Sequence, residues 1–368
     1  MHIPFIDLEA QNEGLREPLE AAALRVLRSG RYCLGPEVEA FERAFAGYCE
    51  TDHAVAVHSG TAALQLALRA CEIGEGDEVI TVSLTFVATV AAILYTGARP
   101  VLVDVDPSTW TLDPRAAEAA VTSRTRAIIP VHLHGRPADL DPLLAIAKTH
   151  KLRIIEDAAQ SHGARYKGQR VGAIGDIGCF SFYPSKPLGA LGEGGAIVTR
   201  DWDLADRVRL LRNWGQVHPN NHVYPGYNMR MDAVQAAMLG VKLPYVDDWS
   251  ARRTAHAELY TSLLGDCVSP RPKPLPGCTE ANHIYAVEVD DRDRLRELLR
   301  ENGIETGVHY PLPAHLQPAY SGLAYHQGDF PISERIASRT LSLPIFAELT
   351  HQQIDQICHA MRTSLMLQ

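Results

Sequence analysis

Five short runs of β-branched and aliphatic residues alternate with helical or turn segments in the first half of the chain. Each intervening segment is long enough to carry the chain back across a sheet. Such crossovers join parallel strands, and helices then cover both faces of the sheet. The spacing therefore predicts an α/β fold with a mostly parallel sheet. The runs are AVAV (54–57), EVITV (78–82), VLVDV (101–105), AIIPV (127–131) and LRIIE (152–156).

The last third of the chain has a different sequence pattern. A long polar helix pattern and a proline-rich link precede a strand, a helix and another strand, at residues 283–289, 291–302 and 304–310. This order predicts a small C-terminal α/β domain. We expect residues 1–245 to form a large domain that includes the N-terminal helices, and residues 246–368 to form the small domain.

Charge and cysteine usage exclude several classes of protein. The chain has 44 acidic and 35 basic residues, a net charge of -9, and no run of five or more Lys or Arg that would attract nucleic acid or anionic lipid. Its seven cysteines are scattered, with no Cys-x-x-Cys pair. Neither a signal-peptide pattern nor an apolar run of membrane-spanning length is present. We expect a cytoplasmic protein that acts without nucleic acid, membrane or structural metal.

Two ionisable residues follow predicted strands at the same edge of the sheet. Asp157 comes directly after LRIIE, and Lys186 lies 29 residues later in the apolar, glycine-rich stretch SFYPSKPLGALGEGGAIVT. Ligands of doubly wound sheets bind beyond the carboxyl ends of the strands. Alone, Asp157 could be a helix N-cap and Lys186 a solvated surface residue. Together they predict a carboxylate and an amine that face one ligand crevice.

Two further strand ends add binding groups to this edge. Gly60 and Thr61 stand where strand AVAV gives way to an Ala/Leu-rich helix, and the free N–H groups of a helix start suit a phosphate. Phe86 follows strand EVITV and could stack on a planar ligand or belong to the core. A phosphate site, a stacking ring, a carboxylate and an embedded lysine together indicate pyridoxal phosphate.

The chain resembles the pyridoxal-phosphate-dependent sugar aminotransferases of the DegT/DnrJ/StrS type nearly from end to end. The resemblance rests on segments in the family's order, among them SGTAAL, TFVAT, EDAAQSHGA, GDIGCFSFYPSKPLGALGEGGAIVT, GYNMRMDAVQAA and TGVHYPLPAHLQPAY. It implies the type I fold of aspartate aminotransferase. That fold has a large domain, with a mostly parallel seven-stranded sheet flanked by helices, and a small C-terminal α/β domain.

The resemblance also assigns catalytic and ring-binding roles. Lys186 matches the lysine that forms a Schiff base with the cofactor and then moves the proton. Asp157 matches the partner of the pyridine nitrogen, Gln160 the amide at the ring hydroxyl, and Phe86 the stacking ring.

The remaining cofactor contacts that the resemblance implies are to the phosphate. Gly60 and Thr61 match backbone donors, and Ser181 matches a hydroxyl donor. Asn228, in GYNMRMD, matches an asparagine that reaches the phosphate of the neighbouring subunit's cofactor. The resemblance therefore implies a homodimer with shared active sites, whereas the Pro-, Gly- and Asn-rich sequence around Asn228 by itself predicts only a loop.

The implied reaction moves the amino group of L-glutamate onto a nucleotide-linked keto sugar. Tyr183 and His309 match sugar-binding positions and favour a dTDP- or UDP-linked 3-oxo sugar, giving a 3-amino sugar for glycan, lipopolysaccharide or natural-product biosynthesis. Both could instead be structural residues. The alternatives are a 4-oxo-sugar aminotransferase, a sugar dehydratase on the same fold, and a non-catalytic regulatory protein. Lys186 counts against the dehydratase, because dehydratases of this family carry histidine there.

Three residues depart from the family pattern. His134 and Arg136 replace a more frequent tyrosine and glutamine, and Pro187 replaces a frequent asparagine. His132 and His134 form a His-x-His pair that could suggest a metal, but the sequence offers no convincing third ligand. We interpret the pair as local packing.

Overall fold

A sheet of seven strands forms the centre of the computed structural model, which describes residues 2–269 and 271–366. The strands are β1 His53–Val57, β2 Glu78–Val82, β3 Arg99–Val103, β4 Thr125–Ile129, β5 Arg153–Asp157, β6 Ile177–Ser181 and β7 Gly195–Thr199. Their order across the sheet is β1, β7, β6, β5, β4, β2, β3. β7 is antiparallel to both neighbours, and all other neighbouring pairs are parallel. The predicted α/β class with a mostly parallel sheet is confirmed.

Both faces of this sheet are buried, because successive apolar residues of each strand point to opposite sides. In β1, Val55 and Val57 pack into the cluster on one face, and Ala54 and Ala56 pack into the cluster on the other. Because both faces of the sheet are covered, its strands appear in the sequence as continuous apolar runs.

Helices supply the two covering layers. They are α1 Leu8–Glu13, α2 Arg16–Ser29, α3 Pro36–Cys49, α4 Gly60–Ala70, α5 Val87–Tyr95, α6 Pro114–Ala119, α7 Leu140–His150, α8 Trp202–Arg212, α9 Ala233–Lys242, α10 Val246–Leu264, α11 Arg292–Glu301, α12 Pro331–Arg339 and α13 His351–Leu365. α4, α5 and α8 cover one face of the sheet, and α3, α7 and α9 contribute to the other. The helices after β1 and β2 start at the carboxyl ends of those strands, which places their first turns at one edge.

The C-terminal part has its own sheet and core. β8 Tyr285–Glu288 pairs antiparallel with β9 Thr340–Leu343, and α10, α11 and α13 pack around the pair. Ile3 joins this same cluster. Between α9 and α10 lies the short turn Leu243–Tyr245, where the sequence predicts the domain boundary, which stays a prediction.

The predicted strand over residues 304–310 is wrong. Gly307 exchanges two hydrogen bonds of 2.9 Å with Ser342 of β9, but the ladder goes no further. Pro311 follows and has no N–H to donate, so the segment leaves the sheet edge. It turns His309 and Tyr310 toward the large sheet instead. The partner of β8 is the run TLSL, which the sequence analysis did not identify as a strand.

Four residues lie outside the described ones: Met1, Pro270, Leu367 and Gln368. The predicted proline-rich link and the predicted end of the small domain are therefore described without them. No helix within the described ranges is long and apolar enough to cross a bilayer.

Candidate active site

A cavity of about 480 Å³ opens at the carboxyl edge of the seven-stranded sheet. The segments that follow β1, β2, β4, β5 and β6 enclose it from below, and His283, His309 and Tyr310 close it from the C-terminal part. Nine of the ten predicted site residues line this one cavity: Gly60, Thr61, Phe86, Asp157, Gln160, Ser181, Tyr183, Lys186 and His309.

Asp157 is the last residue of β5 and is almost completely buried. Thr89 Oγ1 donates to its Oδ2 over 2.8 Å, and the Ala159 N–H donates to its Oδ1 over 3.2 Å. Burial raises the pKa of Asp157, and these hydrogen bonds and the charge of Lys186 oppose that rise. The alternative of a helix N-cap is wrong, since a turn follows β5. Gln160 lies on this turn.

Lys186 lies in the tight loop after β6, where its N–H donates to Tyr183 O over 2.8 Å. Burial lowers the pKa of its amine to about 8, although the negative charge of Asp157 acts to raise this pKa. We find no hydrogen bond or ion pair of the Lys186 amine within the described part of the chain. An amine with this pKa is uncharged far more often near neutral pH than an ordinary lysine amine, as a nucleophile and base must be.

The start of α4 forms a cradle against the end of β6. Ser59 caps the helix by accepting from Ala62 N–H, 3.1 Å away. A Cβ on Gly60 would lie 2.6 Å from Ser181 Cβ, so only glycine allows this close approach. The N–H groups of a first helical turn have no partners inside the helix. The first turn of α4 and the hydroxyl of Ser181 thus face the cavity together, as the binding of an anion such as phosphate requires.

Phe86 offers a ring face to a planar group in the cavity. Phe86 precedes α5 with its ring half exposed, and its centroid is 5.5 Å from that of Tyr310. Gln160 is fixed on both sides: its Oε1 accepts from His134 N–H over 2.6 Å, and its Nε2 donates to Tyr310 OH over 2.9 Å. The structure therefore orients the amide that faces the cavity.

Tyr183 and His309 stand at the outer wall of the cavity. Half of Tyr183 is exposed, whereas His309 is stacked on Phe5 at 5.5 Å and hydrogen-bonded through Nδ1 to Ser342 Oγ at 3.0 Å. Burial, with the charge of Lys186, lowers the pKa of His309 to about 4. Its Nε2 is left for another partner.

The residues that depart from the family pattern are used in packing. His134 Nε2 donates to the His309 carbonyl over 3.0 Å, and Arg136 forms a buried ion pair of 3.0 Å with Glu280. Pro187 is buried in the loop of Lys186.

The ring of His132 is engaged on both sides. Its Nε2 donates to Glu156 over 2.9 Å, and its Nδ1 accepts from the Ala138 N–H over 3.0 Å. Among the described residues, no group of three or more His, Cys, Asp or Glu side chains could hold a metal ion.

Asn228 is the predicted site residue that does not line the cavity of its own chain. It is exposed, in the loop that follows a short hairpin, and its backbone forms a bridge with Asn213. Its predicted role across a subunit interface stays a prediction.

Several lining residues were missed in the sequence analysis. The sequence could have indicated Thr85 and Thr89, because residues four apart at the start of a helix lie on the same side. In the structure their hydroxyls are 2.9 Å apart. Tyr310 directly follows the predicted His309. No local sequence pattern indicates His283, because it is far along the chain from the other lining residues. Only the folding of the C-terminal part brings it to the cavity.

The lining fits pyridoxal phosphate. The cavity has the volume of a small-molecule site, with an anion cradle at Gly60, a planar slot at Phe86, a buried carboxylate, and an amine that has found no partner in the described chain.

Comparisons with known proteins agree with this geometry. The profile of the DegT/DnrJ/EryC1/StrS aminotransferase family matches residues 15–362. A dTDP-3-amino-3,4,6-trideoxy-alpha-D-glucose transaminase of Streptomyces venezuelae is 50% identical over 98% of this chain and 95% of its own length. A UDP-N-acetyl-3-dehydro-alpha-D-glucosamine 3-aminotransferase of Acidithiobacillus ferrooxidans is 42% identical over 99% of this chain and 98% of its own.

Solved structures are similar over the whole chain. S. venezuelae DesV in complex with a ketimine intermediate has a TM-score of 0.96 and 48% identity, over 99% of this chain and 98% of that one. NtdA of Bacillus subtilis with bound cofactor PMP has a TM-score of 0.91 and 29% identity, over 99% of this chain and 85% of that one.

Proposed function

The chain belongs to the DegT/DnrJ/EryC1/StrS aminotransferase family, and from this membership we propose that it moves the amino group of L-glutamate onto a dTDP- or UDP-linked 3-oxo sugar. It is an aminotransferase that uses pyridoxal phosphate. The observation that carries the proposal is that the amine of Lys186, with its lowered pKa, lies in one cavity with the carboxylate of Asp157. The product is a 3-amino sugar for glycan, lipopolysaccharide or natural-product biosynthesis.

When bound, pyridoxal phosphate supplies a carbonyl carbon that amines attack and a pyridinium ring that withdraws electrons. Lys186 Nζ would hold the group covalently through that carbon. As a free amine, Lys186 would be the base that takes a proton from the donor's α-carbon and the acid that gives it back. The same amine would move the proton in the opposite direction when the keto sugar is bound.

The other cavity residues hold and orient. Asp157 would hold a proton on the pyridine nitrogen of the group, and that cation would favour the ionised carboxylate against the effect of burial. Gln160 would contact the ring hydroxyl, and Phe86 would cover the ring face. The phosphate would bind at the α4 cradle, to the backbone N–H groups of Gly60 and Thr61 and to the hydroxyl of Ser181. These assignments are proposals that the geometry supports.

The choice of a 3-oxo sugar rests on the names of the two relatives and on the segment HYPLPAHLQPAY. Both relatives are named for amination at carbon 3. We test it by measuring kcat/KM with L-glutamate against matched 3-oxo and 4-oxo nucleotide sugars. A 3-oxo sugar is expected to give the highest value. A 4-oxo sugar with a higher kcat/KM than every 3-oxo sugar would overturn the choice and leave the aminotransferase standing.

Tyr183→Phe and His309→Ala are expected to slow the sugar half-reaction more than the glutamate half-reaction. Each variant removes a polar tip at the outer wall of the cavity, where a sugar hydroxyl can bind, and each lost hydrogen bond is worth roughly tenfold in rate or affinity. Single-turnover spectra of the bound cofactor, recorded with each substrate separately, measure the two halves. An equal loss in both halves would contradict a sugar-binding role.

We also propose that two copies of the chain assemble into a dimer in the cytoplasm, with Asn228 of each copy completing the partner's phosphate site. The exposed position of Asn228, away from the cavity of its own chain, supports this assignment.

Mixing inactive Lys186→Ala protein with inactive Asn228→Ala protein should restore about a quarter of wild-type activity. Half of the dimers are then hybrids, and each hybrid has one of its two sites intact. The matched control mixes Lys186→Ala with Asp157→Ala, two residues of the same chain's site, and should give no rescue. No rescue of the first pair, after verified subunit exchange, would place Asn228 outside the partner's site.

A further inference from the structure

Arg253 of α10 is a buried cation without a partner in the described part of the chain. It is 2% exposed, and its Nε and Nη1 atoms make no hydrogen bond. Glu348 attracts its charge, but the two form no ion pair. Burial lowers the pKa of the guanidinium to about 10, so it stays charged at neutral pH. A buried, unpaired charge is costly to keep unless an anion joins it.

A small cavity of about 40 Å³ adjoins Arg253. It lies against the active-site cavity, since Ser185, His283 and His309 line both. Space for one water takes roughly 10–15 Å³, so the small cavity accepts the two oxygens of a carboxylate and excludes a sugar ring. Ser185 Oγ and His309 Nε2 are available to donate to such a group.

The surroundings favour an anion. Burial, helped by the charge of Lys186, lowers the pKa of His283 and His309, so both rings are neutral near pH 7. Arg253 then carries a fixed positive charge in this region, and the acids that line the shared cavity are Asp157 and Glu193.

We propose that Arg253 binds a carboxylate of the amino donor in the small cavity beside Lys186. The proposal rests on the proposed function, because it concerns the glutamate half of that reaction. The guanidinium forms charge-assisted hydrogen bonds to the carboxylate. The α-amino group is thereby directed toward Lys186 and the cofactor's carbonyl carbon. The phosphate of the cofactor is held elsewhere, at the α4 cradle.

The test measures the affinity of the wild-type holoenzyme and of its variants for glutarate, a dicarboxylate without an amino group, by calorimetry. Arg253→Gln removes the charge and is expected to weaken glutarate binding roughly 10- to 100-fold. The matched control is Arg252→Gln on the same helix, whose side chain is 55% exposed and paired with Asp248 at 2.8 Å. Its affinity should stay within about twofold of wild type. Unchanged glutarate affinity in folded Arg253→Gln protein would overturn the proposal.

Two donors identify which carboxylate is bound. If Arg253 holds the α-carboxylate, Arg253→Gln raises KM for L-glutamate and for L-glutamine alike. If it holds the side-chain carboxylate, only the value for L-glutamate rises. Unchanged KM for both donors contradicts the proposal. A wild-type enzyme with no glutamate turnover would instead refute the proposed function, which these KM ratios do not test.

A crystal structure of the wild-type holoenzyme with glutarate provides the test if Arg253→Gln does not fold. The proposal expects a carboxylate within hydrogen-bond distance of the Arg253 guanidinium. Glutarate bound elsewhere in the cavity, with Arg253 contacting none of its oxygens, would overturn it.

Discussion

Lys186→Ala is expected to abolish transamination, with a loss of at least roughly 10³- to 10⁴-fold. The substitution removes the covalent link to the cofactor and also the base that moves the proton, and no other lysine lines the cavity among the described residues. Cofactor binding should survive in a weaker, non-covalent form, because the phosphate and ring contacts remain. Steady-state turnover and a cofactor-binding titration measure the two effects separately.

Two further variants show whether the loss is specific. Lys186→Arg keeps a positive charge but cannot form the link, and should be as inactive as the alanine variant. Lys148→Ala removes an exposed lysine of α7 and should keep full activity. Retained turnover in either Lys186 variant would mean that another amine performs the chemistry.

Asp157→Ala is expected to lose most of the activity, on the order of 10²- to 10³-fold, by analogy with the removal of a charge-stabilising group from other enzymes. Without a carboxylate at the end of β5, the pyridine nitrogen loses its proton and the ring withdraws electrons poorly. Single-turnover reaction with L-glutamate measures this step directly.

Asp157→Asn sharpens that test, because it keeps the shape of the side chain and removes its charge. It should resemble the alanine variant in rate, while Asp141→Asn on the exposed start of α7 should behave as wild type. An asparagine variant with half of the wild-type rate would show that the charge at position 157 is not needed.

The sheet and its functional edge could be predicted because both depend on local sequence. Each strand is a short apolar run, and the residues after it, such as Asp157 and Gly60, lie at the carboxyl edge by the geometry of parallel strands. Thr89 was within reach of the same reasoning, since it follows Thr85 by one helical turn. Helix spacing alone places their hydroxyls together.

Other parts depend on contacts that local patterns do not contain. The segment around His309 has the composition of a strand, yet Pro311 and the approach to the large sheet draw it out of the ladder. Arg253 reads as one of two adjacent arginines on a polar helix. Only the folded chain shows that Arg252 is exposed and that Arg253 is buried beside the active site.

Reduction with borohydride shows directly whether Lys186 carries the cofactor in this cavity. The holoenzyme is reduced, digested, and its peptides are analysed by mass spectrometry for the pyridoxyl phosphate adduct. The adduct is expected on Lys186 alone. Lys242 is the informative competitor, since burial lowers its pKa to about 8 as well. An adduct on Lys242, or on any lysine other than Lys186, would show that Lys186 does not carry the cofactor.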